Sequence, residues 1–143
     1  MSDIIIETRG KAGKITLNRP EALNALTYKM ILQIEETLDN WLSENIDLVI
    51  IDAVGEKAFC AGGDIKSMGS STAGSRALTP AARRAQLKVR QRTLTGRLMG
   101  LRKPTIAALP GAAAGAGLSI ALACDMRIAA RSAFVTTGYA RIG

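Results

Sequence analysis

Two short glycine-bearing stretches hold the residues whose spacing could do chemistry. The first is Phe59-Cys60-Ala61-Gly62-Gly63-Asp64-Ile65-Lys66, which follows a short extended segment and precedes a helical turn. Adjacent glycines open backbone conformations closed to other residues and let a ligand approach the main chain, so its N–H groups become available as donors. The second, Pro110 to Ser119, lies between an apolar run and a short helix. Its small side chains expose amides at a helix N-terminus, where the dipole favours an anion. The plain alternative for both is a pair of tight connections. The known phosphate-binding patterns are absent: Gly115-Ala116-Gly117-Leu118-Ser119-Ile120 begins as GxG without the third glycine, and there is no GxxxxGK[ST].

The reactive side chains are few. The sequence has no histidine, which removes Ser-His-Asp and Cys-His nucleophiles, imidazole acid/base catalysis and His-ligated zinc. Proton transfer is left to carboxylates, Lys, Tyr, Cys or water. Cys60 and Cys124 have no close Cys or His neighbour, so they read as buried thiols in a reducing compartment, not as a metal or redox pair.

The elements that must position these loops are legible from periodicity. Ile4 to Thr8 and Lys14 to Leu17 read as a strand pair across a glycine turn, and Asn18-Arg19-Pro20 ends the extended run. Thr27 can cap a helix with Ile31, Ile34, Leu38 and Trp41 on one stripe, ending before Asn45. Leu48 to Ile51 is a continuous apolar run, the pattern of a strand covered on both faces. Pro80 can open a helix to about Leu101; Thr105 to Leu109 reads as a second buried strand. A short helix from about Ala116 to Ala123 leads to a strand at Met126 to Ala129, and Ala133 to Thr136 reads as one more. Strands alternating with helices define an α/β chain with at least partly parallel pairing. Ser67 to Thr79, rich in Ser, Gly and Ala, reads as a mobile loop. The turn-like ending at Gly143 without a closing helix reads as a truncation.

With 143 residues, 48% of them apolar, the chain can bury a core. Its net charge of +7 suggests a polyanionic partner, but the charge is local. Pro80 to Lys103 carries eight cations and no acid, while the remainder has 11 cations against 12 acids. Leu87, Leu94, Leu98 and Leu101 recur at helical spacing, so these cations decorate the outer face of an amphipathic helix. Aromatic residues make up only 3%, too few for a stacking platform, so nucleic acid is the weaker reading. The acidic N-terminus fits neither a signal peptide nor a membrane span, which makes the cytoplasm the expected location and leaves no membrane partner.

Three blocks together resemble one family. They are Leu17-Asn18-Arg19-Pro20-Glu21-Ala22-Leu23-Asn24-Ala25-Leu26; Ala58-Phe59-Cys60-Ala61-Gly62-Gly63-Asp64-Ile65; and Lys103-Pro104-Thr105-Ile106-Ala107-Ala108, continued by Gly111 to Leu118 and Cys124-Asp125. In that order they are similar to the crotonase family, the enoyl-CoA hydratase/isomerase superfamily. The resemblance spans essentially the whole chain and the N-terminal part of a typical member. It implies a crotonase-like superhelix of repeated ββα units, an acyl-CoA thioester substrate, no permanently bound cofactor or metal, and C-terminal helices outside this sequence that build a homotrimer or dimer of trimers. Two backbone N–H groups of the family, at positions matching Gly63 and Ala116, form an oxyanion hole for the thioester enolate. Positions matching Glu21, Ala22, Leu23, Ala61, Gly63, Asp64 and Ile65 cradle coenzyme A. Lys66 is a candidate for a phosphate of that ligand or a solvated lysine.

The sequence also departs from the family. The position of one glutamate of the hydratases holds Ser119, which cannot act as a carboxylate base, though it could orient a water. The second acid would fall near Gly138, where Thr136, Thr137 and Tyr139 stand. Asp64 and Asp125 match structural positions. The resemblance therefore implies oxyanion machinery without an assigned acid/base. The expected activity is that of an enoyl-CoA hydratase/isomerase family enzyme. Isomerisation, decarboxylation or hydrolysis of an acyl-CoA, and a non-catalytic acyl-CoA-binding paralogue, are the alternatives.

Overall fold

Antiparallel pairing of β1 (Ile4–Arg9) with β2 (Ala12–Leu17) starts the fold, with the chain reversing at Gly10, whose φ is 59°. The computed structural model describes residues 2–64 and 79–138. After the hairpin, α1 (Tyr28–Ser43) returns the chain to β3 (Leu48–Ala53), which lies parallel to β2. The same course then repeats. β3 is followed by β4 (Ala58–Cys60) and α2 (Pro80–Gly100); β5 (Thr105–Leu109) by β6 (Ala112–Ala114) and α3 (Ala116–Ala123); and β7 (Met126–Ala129) by β8 (Val135–Thr136). The first strand of each repeat joins a five-stranded sheet in the order β1-β2-β3-β5-β7, and the second joins a parallel sheet β4-β6-β8. Helical crossovers are what parallel neighbours require, and these successive ββα turns make the crotonase superhelix.

Register explains the core. Gly13, Ile15 and Leu17 pair with Val49, Ile51 and Ala53, and Val49 and Ile51 pair in turn with Thr105 and Ala107. All but the half-buried Ala53 are buried on one shared face. Helix α1 covers that face with Met30, Ile34, Leu38 and Trp41, the Trp41 ring lying on Gly13. Its first turn is closed by Thr27, whose Oγ1 accepts from Met30 N at 3.2 Å. At its other end Lys103 Nζ donates to the carbonyls of Trp41 and Glu44, supplying positive charge where the dipole favours it.

Two expectations need correction. The apolar run in β3 is not sealed on both faces: Val49 and Ile51 are buried, but Leu48 and Ile50 are only half-buried. On that second face Lys14 Nζ lies 3.1 Å from Glu7 and 3.3 Å from Asp52, so part of it is polar. The segment Ala112–Ala114 is a strand, not loop, because its backbone completes the ladder between β4 and β8.

Helix α2 buries Leu94 and Leu98, with Leu101 half-buried beyond its end. Arg84, Lys88 and Arg92 are exposed, and Arg97 pairs with Asp39; these cations sit on a solvated face, and the Arg83 and Arg90 side chains lie outside the described residues. The Leu87 side chain and residues 67–78, read from sequence as mobile, lie outside the described residues.

Candidate active site

Because β4 and β6 are parallel neighbours, the loops at their C-terminal ends emerge side by side. The contact is close. A methyl group built on Gly62 would lie 3.2 Å from the Ala114 carbonyl oxygen and 3.5 Å from the Ala116 amide nitrogen, a tight fit, and φ there is 107°, a backbone conformation that favours glycine. On Gly117 such a group would stand 2.3 Å from the Cys60 carbonyl oxygen, which lets the first turn of α3 rest directly on the end of β4.

The loop after β4 is held from its other side. Ala61 N donates to Leu23 O at 3.0 Å, Leu26 N to Gly62 O at 2.8 Å and Asp64 N to Leu26 O at 2.9 Å, a one-residue parallel bridge between Leu26 and Gly63. In such a bridge the central residue turns its own N–H and C=O to the opposite side. The Gly63 N–H therefore points away from Leu26. In the second loop Gly115 N donates to Thr136 O at 3.1 Å, and the first hydrogen bond into α3 is Ser119 N to Gly115 O at 3.1 Å. Ala116 is the first residue of α3, whose amide has no intrahelical partner. Among the described residues, neither the Gly63 nor the Ala116 N–H donates to a carbonyl. Each of the two neighbouring loops thus carries one main-chain donor without a carbonyl partner among the described residues.

Glu21, Ala22 and Leu23 form a neighbouring ledge. Pro20–Ala22 is a 3₁₀ turn, with Glu21 exposed and Ala22 half-buried. Leu23 and Asn24 follow at φ 51° and 54°, left-handed conformations that are costly for non-glycine residues. Asn24 holds this strain in place from a buried position: its Oδ1 accepts from Arg19 N at 2.8 Å, and its Nδ2 donates to Val54 O and Ala58 O at 3.0 and 2.9 Å. Leu23, in contrast, is 45% exposed, an apolar side chain presented beside Ala61. Ile65 and Lys66 lie outside the described residues.

Asp64, Asp125 and Ser119 are already engaged. Asp64 Oδ2 accepts from Arg19 Nη1 at 3.1 Å. Asp125 Oδ2 accepts from both the N–H and the Oγ1 of Thr105 at 2.8 Å, bonds that hold its pKa below the ordinary carboxylate value. Ser119 Oγ donates to Gly115 O at 3.2 Å, within its own helix. Burial pushes the Cys60 and Cys124 thiols up to about 11, keeping them protonated at neutral pH. Among the described residues there is no group of three His, Cys, Asp or Glu that could hold a metal ion, and no helix long and apolar enough to cross a membrane.

Sequence reading assigned no role to Arg19 or Asn24 individually. Both stand in the first family-like block, but their partners lie up to 45 residues away, and only the fold supplies those.

The fold and its paired loops define a crotonase-type α/β superhelix, and solved structures share it. An enoyl-CoA hydratase from Rhodobacter sphaeroides matches with a TM-score of 0.81 and 34% identity over 94% of this chain and 39% of its own. A sequence model for enoyl-CoA hydratase/isomerase matches residues 12–143; the chain belongs to this family. Among curated relatives, the mitochondrial 3-hydroxyisobutyryl-CoA hydrolase of Danio rerio is 38% identical over 90% of this chain and 32% of its own length. The short-chain-enoyl-CoA hydratase of Clostridium acetobutylicum is 35% identical over 93% and 48%. The chain therefore spans one third to one half of the length of these relatives.

Proposed function

We propose that the chain binds an acyl-CoA thioester and stabilises the enolate of its acyl group with the Gly63 and Ala116 amides. The observation that carries this reading is the close contact of the two loops beyond β4 and β6, each of which carries a main-chain N–H that has no carbonyl acceptor among the described residues. Donors already fixed by the fold need no reorganisation when charge develops on the thioester oxygen, and in a site shielded from water each is worth about 2.7–4 kcal/mol. The Ala116 donor also begins α3, so the helix dipole reinforces it. Glu21, Ala22, Leu23, Ala61 and Asp64, with Ile65 and Lys66 following, cradle the coenzyme A moiety. In this reading the thioester is the substrate and no resident cofactor takes part. Ser119 stands where the family places a glutamate and orients water; it is not a base.

Titration with crotonyl-CoA tests the proposal. Polarisation of the carbonyl shifts the enoyl absorbance to longer wavelength, and a folded chain that gives no shift at millimolar ligand refutes it. Hydrolysis is a second reading, favoured by relatives named 3-hydroxyisobutyryl-CoA hydrolase. There the same two amides would receive the oxyanion of a tetrahedral intermediate. Release of free coenzyme A thiol separates the two, because hydration and isomerisation leave the thioester intact.

A further inference from the structure

We infer that Arg19 is a positioning residue that aims and polarises the Gly63 amide through a hydrogen-bonded chain of two peptide groups. This deepens the thioester reading and rests on it. Arg19 Nη1 donates to Ala25 O at 2.8 Å. The other end of that peptide group is Leu26 N–H, which donates to Gly62 O at 2.8 Å. The other end of the Gly62 peptide group is Gly63 N–H, one of the two free donors. In a trans peptide the C=O and N–H point in opposite directions, so the three groups line up from a guanidinium to the proposed oxyanion site. A cation bonded to the first carbonyl polarises each peptide group in turn and makes the last N–H a stronger donor.

The origin of the chain is firmly seated. The Arg19 side chain is 18% exposed and its partner Asp64 15%. The same Nη1 that binds Ala25 O lies 3.1 Å from Asp64 Oδ2, and Asp64 N donates to Leu26 O at 2.9 Å. Arg19 therefore clamps the Ala25–Leu26 segment to the Gly63–Asp64 segment, fixing the peptide between Gly62 and Gly63 from both sides. The Ala116 donor draws its polarisation from a helix terminus; the Gly63 donor draws it from Arg19.

The experiment compares Arg19→Gln, which keeps a neutral donor, with Arg19→Lys, which keeps the charge, and uses exposed Arg9→Gln as a control. Three readouts are taken on the full chain: the Gly63 amide proton shift without ligand, the red shift of bound crotonyl-CoA, and kcat and KM on any thioester turned over. In Arg19→Gln the Gly63 proton should move upfield, the red shift should fall by more than half, and kcat should drop about 10–100-fold with KM within about threefold. Arg19→Lys should recover most of each, and Arg9→Gln should match the unaltered chain. A folded Arg19→Gln with an unchanged Gly63 resonance overturns the inference. If the unaltered chain gives no red shift, the thioester reading falls, while the Gly63 resonance still decides whether Arg19 controls that amide. If neither variant folds, the through-bond coupling between Leu26 nitrogen and Gly62 carbonyl carbon in the unaltered chain decides: its absence overturns the relay.

Discussion

Replacing Gly63 by proline removes one proposed oxyanion donor. The Gly63 N–H has no acceptor among the described residues, so deleting it breaks no ladder. The bonds that hold the loop use Gly62 O and Asp64 N, both of which survive. Gly63 does not have a positive φ, so the proline ring meets no left-handed backbone. Ala116→Pro is its counterpart. Residue 116 is the first of α3, the position where proline is best tolerated because its N–H is unpaired anyway. If each amide carries about 2.7–4 kcal/mol of transition-state stabilisation, each variant loses about 10²–10³-fold in kcat. The double variant should lose less than the product, because the donors act on one atom and single losses at a shared site are not additive. The assay is turnover of a panel of enoyl-, acyl- and malonyl-type CoA esters, with thermal unfolding in parallel. A folded Gly63→Pro that keeps its turnover and the full red shift of bound crotonyl-CoA would refute the assignment of this amide. Binding without turnover in the unaltered chain would instead favour a non-catalytic acyl-CoA-binding protein.

Three further outcomes follow from the packing. Asp125, its pKa depressed chiefly by the Thr105 hydrogen bonds, contributes stability above the ordinary carboxylate pKa that is lost as pH falls through its folded value; Asp125→Asn should therefore lower the melting temperature at pH 7 and flatten its decline towards pH 3. Cys60 and Cys124, buried and shifted to about 11, should resist a thiol reagent at pH 8 in the folded chain and react fully after denaturation. Gly117→Ala would force a methyl to 2.3 Å from the Cys60 carbonyl oxygen; overpacking of this kind costs about 1–3 kcal/mol or more, read as a drop in the denaturant midpoint.

How much of this was legible in the sequence depended on the range of the interaction that decides each feature. Thr27 and the apolar spacing of α1 act within a few residues, and periodicity found that helix with its cap. Thr105–Leu109, Ala116–Ala123 and Met126–Ala129 are bounded by local turn residues and were equally plain. Ala112-Ala113-Ala114 was not, because alanine carries no strand preference and the strand exists only through pairing with β4 and β8. Leu48 to Ile51 misled for a related reason: four apolar residues give no phase, so the polar neighbours of the second face, Lys14 and Asp52, had to come from the fold.

The candidate site divides along the same line. Gly62 and Gly117 mark where main chain approaches main chain, and clustered glycines in the sequence can flag that. What gives the Gly63 amide its direction is the route from Arg19 through Ala25, Leu26 and Gly62, and Ala25 and Leu26 take part only through their peptide groups. Function carried by backbone leaves few constraints on side chains, so such a site can keep its donors while the acid/base residues around it change. Ser119, at the position where the resemblance implies a glutamate, is consistent with that separation: its hydroxyl is tied to Gly115 O, and neither proposed donor depends on its side chain. The reaction type should therefore follow from whichever group reaches the thioester, and the binding of a thioester oxygen from the two loops alone. Replacing Ser119 by alanine tests the division, since the red shift of bound crotonyl-CoA should remain while any water-dependent turnover falls. A red shift lost with the serine would join binding and chemistry in one residue and undo it.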